Sequence, residues 1–256
     1  MRLKILQLNI EKGRFIDKII NFIIKENFDI INFQEVAGGI IAYDKIDCLQ
    51  ILKKSLSNYY WLRFASDYKR IDDENSYQGN AVFVKNIYDF EEEKVFWYKK
   101  FTSLTKKESG NFVWLPRNAL AVKIKINNQS LWTISAHLPW TKRAEIESQA
   151  RTELSGKIHE FIKSVNDFFV LTGDFNSSPA TKAVLQFKDV SRNLIIENKI
   201  RNTVNSRTHR AADSIFPEGA AVDYIFISKN IKVNSFRVLE NIDLSDHLGL
   251  MAEIEI

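Results

Sequence analysis

The order of the apolar segments along the chain limits the fold more than any other sequence feature. A strand-type segment, a helical segment and a second strand-type segment follow one another in residues 2–34. Residues 58–137 contain strand-type segments joined by short turns, and helical and strand-type segments return after residue 141. This order predicts mixed β-sheets with helices on the outside. Because there are more apolar strands than one helix-covered sheet needs, we expect an α/β fold with two packed sheets.

Length and composition place few limits on the function. The chain has 256 residues and no linker that would divide it, so we predict a single domain spanning residues 1–256. The polar stretches at 66–79 and 198–219 are typical of surface loops. A net charge of +4, with both signs well mixed, neither requires nor excludes a polyanionic partner.

The single cysteine and the N-terminal segment indicate the compartment. Cys48 excludes an intramolecular disulfide framework, and we expect it to be a small buried residue. The N-terminal segment alternates polar and apolar residues, unlike a signal peptide, and no segment approaches the length of a membrane span. We therefore expect a cytoplasmic protein that does not act at membranes, with a monomer as the default state.

A short segment after an apolar strand carries two candidate catalytic groups. The run at 167–171 is of strand type, and Asp174 and Asn176 follow it directly. Gly173 permits a tight turn, and Ser178 followed by Pro179 predicts the start of a helix. A carboxylate and a carboxamide would then be fixed on a rigid turn, although the same residue types also form ordinary turns.

Two further polar residues end the first two predicted strands. The strand at 2–10 ends near Asn9, and the strand at 29–34 ends at Glu35. A strand, helix, strand unit predicts that these residues lie at the same ends of adjacent strands. A carboxylate at the end of a buried strand loses solvent, so Glu35 requires a cation or hydrogen-bond partners.

A hairpin and a long helix follow in the second half of the chain. Two alternating runs flank a polar turn at 127–129, and the second run ends at His137. Arg117 begins the first run, so it lies either near His137 or at the opposite end of the hairpin. Thr141 is expected to cap the helix, and Arg151 on its polar face is interpreted as solvated. His159 lies on the same face, and we assign it no functional role.

The polar residues at the ends of predicted strands suit metal-assisted chemistry. They are Asn9, Glu35, His137, Asp174, Asn176, Asp223, Asp246 and His247. Oxygen ligands without a cysteine cluster favour a hard ion such as Mg2+ or Mn2+ over structural zinc. Histidines with carboxylate partners suit phosphate recognition and proton transfer. Together these residues indicate metal-assisted attack on a phosphate ester.

These residues occur in an ordered set of motifs that spans almost the whole chain. The motifs are Leu8-Asn9-Ile10-Glu11, Phe33-Gln34-Glu35-Val36, Gly79-Asn80-Ala81-Val82, Ser135-Ala136-His137-Leu138, Gly173-Asp174-Phe175-Asn176-Ser177, Val222-Asp223-Tyr224-Ile225-Phe226 and Ser245-Asp246-His247. In this order they resemble the motifs of the endonuclease/exonuclease/phosphatase superfamily. The resemblance implies a four-layer α/β sandwich, with two packed mixed β-sheets flanked by helices and a metal-dependent site at one rim.

The resemblance also implies a metal site. Glu35 would be the principal metal ligand, with Asn9 and Asp246 close to the metal or its waters. The implied cofactor is Mg2+, with Mn2+ as a second choice. In this reaction class the metal stabilises the leaving oxygen.

The catalytic roles implied by the resemblance fall on five residues. Asp174 would orient and deprotonate the attacking water, and Asn176 would hold the nucleophile or a phosphoryl oxygen. His247, oriented by Asp223, and His137 would bind the phosphate and polarise it as negative charge develops.

Five more residues are candidates for substrate binding, namely Glu11, Arg117, Trp140, Arg207 and His209. The resemblance implies the first two, because many members of the superfamily carry an acidic and a basic residue at those places. Trp140 could stack on a base or sugar, but an aromatic residue after proline is more often packed. The charged residues are equally consistent with solvated loops.

The resemblance leaves the substrate open. We expect a Mg2+-dependent nuclease or phosphodiesterase that takes nucleic acid as its substrate. The alternative enzyme is a phosphatase or phosphodiesterase for a small phosphorylated metabolite or lipid head group, which would have a closed, small pocket. A catalytically silent nucleic-acid-binding module is a third possibility, although every expected catalytic position holds a competent residue type.

Overall fold

The structure is a computed structural model that describes residues 1–210 and 219–256. In these residues thirteen strands form two sheets. The strands are β1 Arg2–Asn9, β2 Ile30–Gly38, β3 Tyr60–Arg70, β4 Tyr77–Lys85, β5 Asp89–Trp97, β6 Thr102–Leu104, β7 Asn118–Ile126, β8 Gln129–His137, β9 Phe168–Asp174, β10 Ser191–Asn193, β11 Asp223–Ser228, β12 Lys232–Val238 and β13 Leu250–Glu255.

Helices flank both sheets. The α-helices are α1 Ile16–Glu26, α2 Cys48–Leu56, α3 Lys106–Ser109, α4 Gln149–Ser164, α5 Lys182–Leu185 and α6 Leu194–Glu197. Short 3-10 helices lie at Glu11–Gly13, Gly39–Ile41, Tyr43–Lys45, Phe112–Trp114 and Gln186–Asp189. None of the helices at 1–210 and 219–256 is both long enough and apolar enough to cross a membrane.

Both sheets are mixed, as the sequence predicts. The first has the order β12-β13-β1-β2-β4-β3-β6, and β1 and β2 run parallel at its centre. The second has the order β10-β11-β9-β8-β7-β5, and β8 and β9 run parallel. The predicted four-layer α/β sandwich of two mixed sheets with flanking helices is therefore confirmed.

Two hydrophobic clusters hold the layers together. One lies between the first sheet and helices α1 and α2, where Ile19, Phe33 and Leu52 are fully buried. The other joins the inner faces of both sheets and extends to α4 through Leu154 and Ile158. The buried Cys48 belongs to the first cluster, in agreement with its expected structural role.

Hydrogen bonds also cross between the sheets. Asn32 Nδ2 on β2 donates to Thr133 Oγ1 on β8 at 2.9 Å, and Gln34 Nε2 donates to Ser135 Oγ at 2.9 Å. Polar groups buried between sheets must be paired, so these bonds fix the relative position of β2 and β8. The residues that follow them, Glu35 and His137, therefore come to the same rim.

The close packing of β8 on β9 depends on one glycine. Gly173 has a φ of +152°, and a Cβ built on it would lie 1.9 Å from the Ala136 carbonyl oxygen. No other residue type fits without moving the strands apart. The parallel register that results places His137 directly opposite Asp174.

The structure corrects the predicted end of the second strand. Strand β2 continues through Glu35 to Gly38, with a register shift between Phe33 and Val36 in its pairing with β4. Glu35 lies at this bulge with a φ of 56°. In a regular strand the side chains alternate between the two faces of the sheet, and a bulge turns one of them in a different direction. Bulges are common beside active sites. The adjacency of Asn9 and Glu35 still holds, because Asn9 pairs with Gln34.

Two predicted helix starts are wrong. Helix α4 begins at Gln149 with Ser148 as its cap, not at Thr141. The helix after the Asp174 turn begins at Lys182 after Thr181, so Ser178 and Pro179 lie in the turn before it. In both cases a loop precedes the helix, and the two loops contact each other, because the Ser178 backbone N–H donates to the Ala144 carbonyl oxygen at 2.9 Å.

Arg151 is buried, contrary to the prediction that it is solvated. It is 1% exposed, and its guanidinium donates to the carbonyl oxygens of Ala144, Ile146 and Asn176. It therefore joins the loop before α4 to the turn after Asp174. His159, interpreted as structural, pairs with Asp189 at 2.9 Å.

The two predicted surface loops also differ from the expectation. Strands β3 and β4 extend into the stretch 66–79 and leave a turn at 71–76. In the second stretch Thr203 and Asn205 are buried, and Val204 forms an antiparallel bridge with His247. The part of that predicted loop at 211–218 lies outside the described residues.

Candidate active site

Three neighbouring strands of the second sheet place three candidate residues side by side. The parallel register of β8 and β9 pairs His137 with Asp174, and the antiparallel register of β9 and β11 pairs Asp174 with Asp223. All three are at least 97% buried. The sequence predicted each residue at a strand end, and the register puts them side by side at one rim of the sandwich.

Asp174 is the centre of this group. Its Oδ2 accepts a hydrogen bond from Asn9 Nδ2 at 3.1 Å and lies 3.5 Å from His137 Nε2 and 3.8 Å from His247 Nε2. Its Oδ1 accepts from the Asn176 backbone N–H at 2.8 Å. Burial raises the pKa of the Asp174 carboxyl to about 7, against the opposing effect of the His247 charge. A carboxylate with such a pKa is suited to take a proton near neutral pH.

His247 is held in a fixed orientation by Asp223. Its Nδ1 donates to Asp223 Oδ2 at 2.8 Å, and the same carboxylate accepts from Thr203 Oγ1 at 2.7 Å and from Gln7 Nε2 at 3.0 Å. Burial alone would lower the pKa of His247. The charges of Asp223 and Asp174 reverse this and raise its pKa well above the usual value, so the imidazole is cationic at neutral pH.

His137 behaves in the opposite way. Burial and the neighbouring charges of Arg117 and His247 lower its pKa well below the ordinary histidine value. The ring is therefore neutral, and its Nδ1 is buried with no hydrogen-bond partner among the described residues. The site thus contains one cationic and one neutral imidazole on either side of Asp174.

The other side of the pocket contains carboxylates with fewer contacts. The Glu35 carboxylate has one ion-pair partner in the described part of the chain, Lys12 Nζ, at 3.9 Å. Asp246 Oδ2 lies 4.0 Å from His209 Nε2. Burial and the charge of Asp246 raise the pKa of Glu11. The Glu11 and Asp246 carboxylates therefore repel each other, and a cation between them would relieve that repulsion.

Asn9 links the two sides. Its Nδ2 donates to Asp174, and its Oδ1 accepts from the Glu11 backbone N–H at 3.1 Å. The Glu11 carboxylate in turn accepts from the Tyr43 hydroxyl at 3.0 Å and from Arg14 Nη1 at 3.3 Å. The Asn9 side chain thus joins Asp174 to the loop that carries Glu11.

Several backbone segments at the site have left-handed conformations. Glu11, Lys12, Glu35 and Asn176 have φ values of 45°, 56°, 56° and 49°. Such values cost about 1–3 kcal/mol each for residues with a Cβ, and they cluster at functional sites where the surrounding structure enforces them. The four residues all line the same pocket.

The pocket has a volume of about 320 Å³. It is lined by most of the residues that the sequence predicted, namely Asn9, Glu11, Glu35, Arg117, His137, Trp140, Asp174, Asn176, His209, Asp246 and His247. Arg117 is at the His137 end of the hairpin, which resolves the two placements left open. Asp223 supports the pocket from behind. Arg207 does not line it, because its guanidinium binds Asp243 and the Glu240 carbonyl oxygen.

Apart from Val222, sequence analysis did not single out four of the lining residues. They are Lys12, Tyr43, Phe112 and Arg210. Nothing in their local patterns distinguishes them from solvated residues. Gln7 and Gln34 are different, since both are polar residues within strands that are otherwise almost entirely apolar, and that pattern indicates a buried polar network.

A buried ion pair behind Arg117 was also missed. Asp67 is fully buried at a bulge in β3, where its Oδ2 lies 3.5 Å from Arg117 Nη1 and its Oδ1 accepts from Asn118 Nδ2 at 2.7 Å. Burial raises the pKa of Asp67 to about 8, although the Arg117 charge opposes this. Asp67 therefore helps to hold the guanidinium of Arg117, which lines the pocket.

Comparison with protein families identifies the fold class. The model of the Endonuclease/Exonuclease/phosphatase family matches residues 6–247, and the chain belongs to this family. Members of the family are phosphoesterase hydrolases. The resemblance inferred from the ordered motifs is therefore confirmed. A search of curated protein sequences gave no match.

Solved structures with the same fold act on different substrates according to their descriptions. An endonuclease/exonuclease/phosphatase from Bacteroides vulgatus matches with a TM-score of 0.73 and 20% identity over 100% of this chain and 99% of the other. A mannosyl-6-phosphatase from Bacteroides thetaiotaomicron matches with a TM-score of 0.71 and 20% identity over 99% and 100% of the two chains. D. rerio TDP2 complexed with single-strand DNA product matches with a TM-score of 0.72 and 16% identity over 100% and 99%. At these identities the likeness shows the shared fold alone.

Proposed function

We propose that this protein is a Mg2+-dependent phosphodiesterase that hydrolyses nucleic acid. The observation that carries the proposal is the arrangement around Asp174, whose carboxylate lies within 3.8 Å of two imidazoles of opposite protonation state and faces a pocket lined by three further carboxylates. Hydrolysis of a phosphate ester needs a base for water, a cationic contact for the phosphate and a charge-neutralising site for the leaving oxygen. This pocket contains residues suited to each task.

The residues of the chain divide the chemistry between them. Asp174 accepts the proton of the attacking water, and Asn9 and the Asn176 backbone N–H hold its carboxylate in position. The cationic His247 donates to a phosphoryl oxygen, while Asp223 keeps its ring oriented and charged. Neutral His137 offers a second contact to the phosphate. These fixed donors need no reorganisation as charge develops in the transition state.

The residues present fit a divalent metal ion. Glu35 and Asp246 would hold it, with Asn9 and Glu11 beside them, since oxygen donors and mutual repulsion of carboxylates suit a hard cation. When bound, such an ion neutralises phosphate charge and stabilises the leaving oxygen.

Another group of possible ligands fits a metal less well. Ligand atoms of Asp174, Asp223 and His247 lie within 4.8 Å of one another. The His247 ring is cationic and donates to Asp223, so it cannot coordinate a metal through that nitrogen without losing this bond. We assign these three residues to the phosphate and the water instead.

The wall of the pocket supports a nucleotide substrate. Lys12, Arg117 and Arg210 supply positive charge, and the Phe112 and Trp140 rings pack edge to face at 6.2 Å beside them. Cationic groups together with aromatic rings are the usual combination for binding a phosphate and a base at once. A lipid head group would not stack on the rings, and a sugar phosphate brings one phosphate to a wall with three cationic side chains, so the small-metabolite alternative is less well supported. The cytoplasmic location and the monomeric state stay predictions from the sequence.

A substrate comparison tests the proposal. Purified protein is incubated with Mg2+ and either a fluorescent single-stranded oligonucleotide, a simple aryl phosphodiester or a simple aryl phosphomonoester, with the Asp174→Asn variant as the control for contaminating enzymes. We expect cleavage of the oligonucleotide and the diester, absent from the variant. Turnover of the monoester alone would refute the diesterase assignment and favour the phosphatase alternative. Oligonucleotide binding without turnover of any ester would favour the catalytically silent module.

A further inference from the structure

An exposed segment beside the pocket combines aromatic and basic residues in an unusual way. A long connection joins the end of β5 at Trp97 to the start of β7 at Asn118. Its two ends are held together, because the Tyr98 backbone N–H donates to the Arg117 carbonyl oxygen at 3.1 Å. We call residues 98–117 the arm. It contains β6, α3 and the 3-10 helix at Phe112–Trp114. Its last residue, Arg117, lines the pocket.

The arm exposes large apolar side chains at its tip. Trp114 is 62% exposed, Phe112 50%, Val113 43% and Phe101 42%. Exposed apolar residues that occur singly need no explanation, but a contiguous group at the mouth of a pocket indicates a binding surface. Phe112 lines the pocket, and Val113 and Trp114 follow it in the same 3-10 helix, so exposed apolar side chains continue along the chain from the pocket to Trp114.

The charge of the arm identifies a polyanionic occupant. Residues 99–114 contain four lysines, at 99, 100, 106 and 107, and a single acidic residue, Glu108. The Glu108 carboxylate is already bonded to the Thr105 backbone N–H and hydroxyl in a capping box. Four lysines against one carboxylate leave this segment net positive, and Lys100, Lys106 and Lys107 are exposed, as a phosphate backbone would require.

Cations already lie over the exposed rings. Lys99 Nζ is 4.3 Å from the centre of the Trp114 ring, and Lys12 Nζ is 5.7 Å from the centre of the Phe112 ring. Each ring therefore has a positive group close enough to contact a phosphate when a base stacks on the ring. Alternating stacking and phosphate contacts are how single strands are bound without a sequence preference.

The arm is attached to the body of the protein. Strand β6 pairs with β3 in parallel, Tyr68 opposite Thr102, and Lys99 Nζ reaches the Trp114 carbonyl oxygen at 3.4 Å. A platform that is already ordered loses less entropy on binding than a free loop.

We propose that the arm is a platform for the single-stranded nucleic acid flanking the scissile phosphate, with bases on Phe112 and Trp114 and phosphates on its lysines. This rests on the phosphodiesterase function proposed above and assigns that site an extended subsite. Affinity should then increase with strand length until the strand reaches the arm, and the increase should depend on Trp114.

Binding can be measured without turnover. Fluorescence anisotropy of labelled oligothymidines of increasing length, in chelator, gives Kd for the wild type, Trp114→Ala and Trp114→Phe. Tyr59→Ala is the matched control, because Tyr59 is 57% exposed and lies next to Asn86, at the end of the sheet away from the pocket. We expect Trp114→Ala to weaken binding of the longer strands by roughly tenfold, with Trp114→Phe recovering most of the loss and Tyr59→Ala unchanged.

The lysines are tested by salt dependence. In Lys106→Ala/Lys107→Ala the slope of log Kd against log salt should fall by about 1.4 relative to the wild type, because each of the two lost phosphate contacts contributes roughly 0.7 on single strands. Lys53→Ala/Lys54→Ala on α2 removes the same charge elsewhere and should leave the slope unchanged.

The outcomes separate this proposal from the proposed function. If strands bind through Trp114 but are never cleaved, the platform stands and the phosphodiesterase assignment fails. If strands are cleaved but Trp114→Ala binds like Tyr59→Ala, the platform is refuted and the catalytic assignment stands. Self-association of the wild type that is lost in Trp114→Ala, with no change in strand binding, would instead make the arm an interface with a second copy.

Discussion

The two sides of the pocket hold their acidic side chains in different ways. On the second sheet, the side chains of Asp174 and Asp223 are 3% and 0% exposed and each accepts several hydrogen bonds at 3.1 Å or less. On the first sheet and the loop before β13, the side chains of Glu35 and Asp246 are 18% and 19% exposed, and their nearest charged partners lie at 3.9 and 4.0 Å. We call these the closed side and the open side.

The difference separates two kinds of preorganisation. On the closed side the protein's own donors hold both carboxylates, so the groups proposed to handle protons and phosphate are oriented before substrate arrives. On the open side the carboxylates keep oxygen atoms available, which is the condition a cation needs. Changes on the closed side should therefore alter the rate and its pH dependence, and changes on the open side should alter the dependence on metal.

The largest effect is expected from Asp174→Asn. The amide keeps the size of the side chain and cannot accept the proton of water, so kcat should fall by about 10³-fold, within the range typical of lost acid-base catalysis. Steady-state cleavage of an oligonucleotide measures it, and a thermal melt close to that of the wild type shows that the fold is kept. A rate within threefold of the wild type would exclude Asp174 as the base.

A smaller effect, with a diagnostic pH dependence, is expected from Asp223→Asn. In the wild type, activity should fall as pH drops through the pKa of Asp174, at or below about 7, because the base becomes protonated. It should fall again at high pH, when His247 loses its proton. Without the Asp223 charge the pKa of His247 is lower, so the loss at high pH should begin at a lower pH, with kcat reduced by roughly 10²-fold.

Thr203→Val is the control for the pH profile of Asp223→Asn. Thr203→Val removes the hydroxyl that donates to Asp223 but keeps the carboxylate charge. Its profile should stay close to that of the wild type. A profile of Asp223→Asn that coincides with the wild type would contradict the assigned role of His247.

A third effect concerns the support of Arg117. Asp67→Leu removes the carboxylate that the Arg117 guanidinium and the Asn118 amide share, and leaves them only the carbonyl oxygens of Pro116 and Ala65. Loss of such a buried partner costs about 1–3 kcal/mol. We expect KM for an oligonucleotide to rise roughly tenfold, with little change in kcat, together with a lower melting temperature. Asp67→Asn keeps an acceptor and should stay within about threefold of the wild type. Equal KM values for both variants and the wild type would show that Arg117 does not depend on Asp67.

The smallest effect is expected from Arg207→Ala. Arg207 was a candidate for substrate binding, but it pairs with Asp243 on the surface, with half of its side chain exposed. Arg207 does not line the pocket, so kcat/KM should change by less than twofold, and loss of the exposed ion pair should cost only about 0–1 kcal/mol of stability. A loss above tenfold would mean that the substrate path includes this loop.

The sequence predicted the closed side better than the open side. Asp174, Asp223 and His137 follow or begin short apolar strands, and such positions can be identified from periodicity alone. The pairing of Asp223 with His247 was also anticipated. Periodicity does not predict the strand register that places His137, Asp174 and Asp223 side by side. That register depends on the close contact between Gly173 on β9 and Ala136 on β8.

The open side depends on features with no local signal. Glu35 reaches the pocket from a bulge inside β2, which the alternation of apolar residues does not reveal. Arg151 is solvated by every local criterion and is buried because three carbonyl oxygens from distant turns converge on it. Tyr43, Phe112 and Arg210 come from loops whose paths are fixed by tertiary packing, and sequence patterns in loops carry little information about contacts.

The most direct measurement is the metal dependence of phosphodiester cleavage in the wild type and in Glu35→Gln. Protein is treated with chelator, dialysed, and assayed on a single-stranded oligonucleotide while Mg2+ is added stepwise. The wild type should be inactive without metal and recover with it. Glu35→Gln should need at least about tenfold more Mg2+, as is typical when support of a metal site is weakened. Cleavage by the wild type in excess chelator, or identical Mg2+ curves for both proteins, would contradict the account.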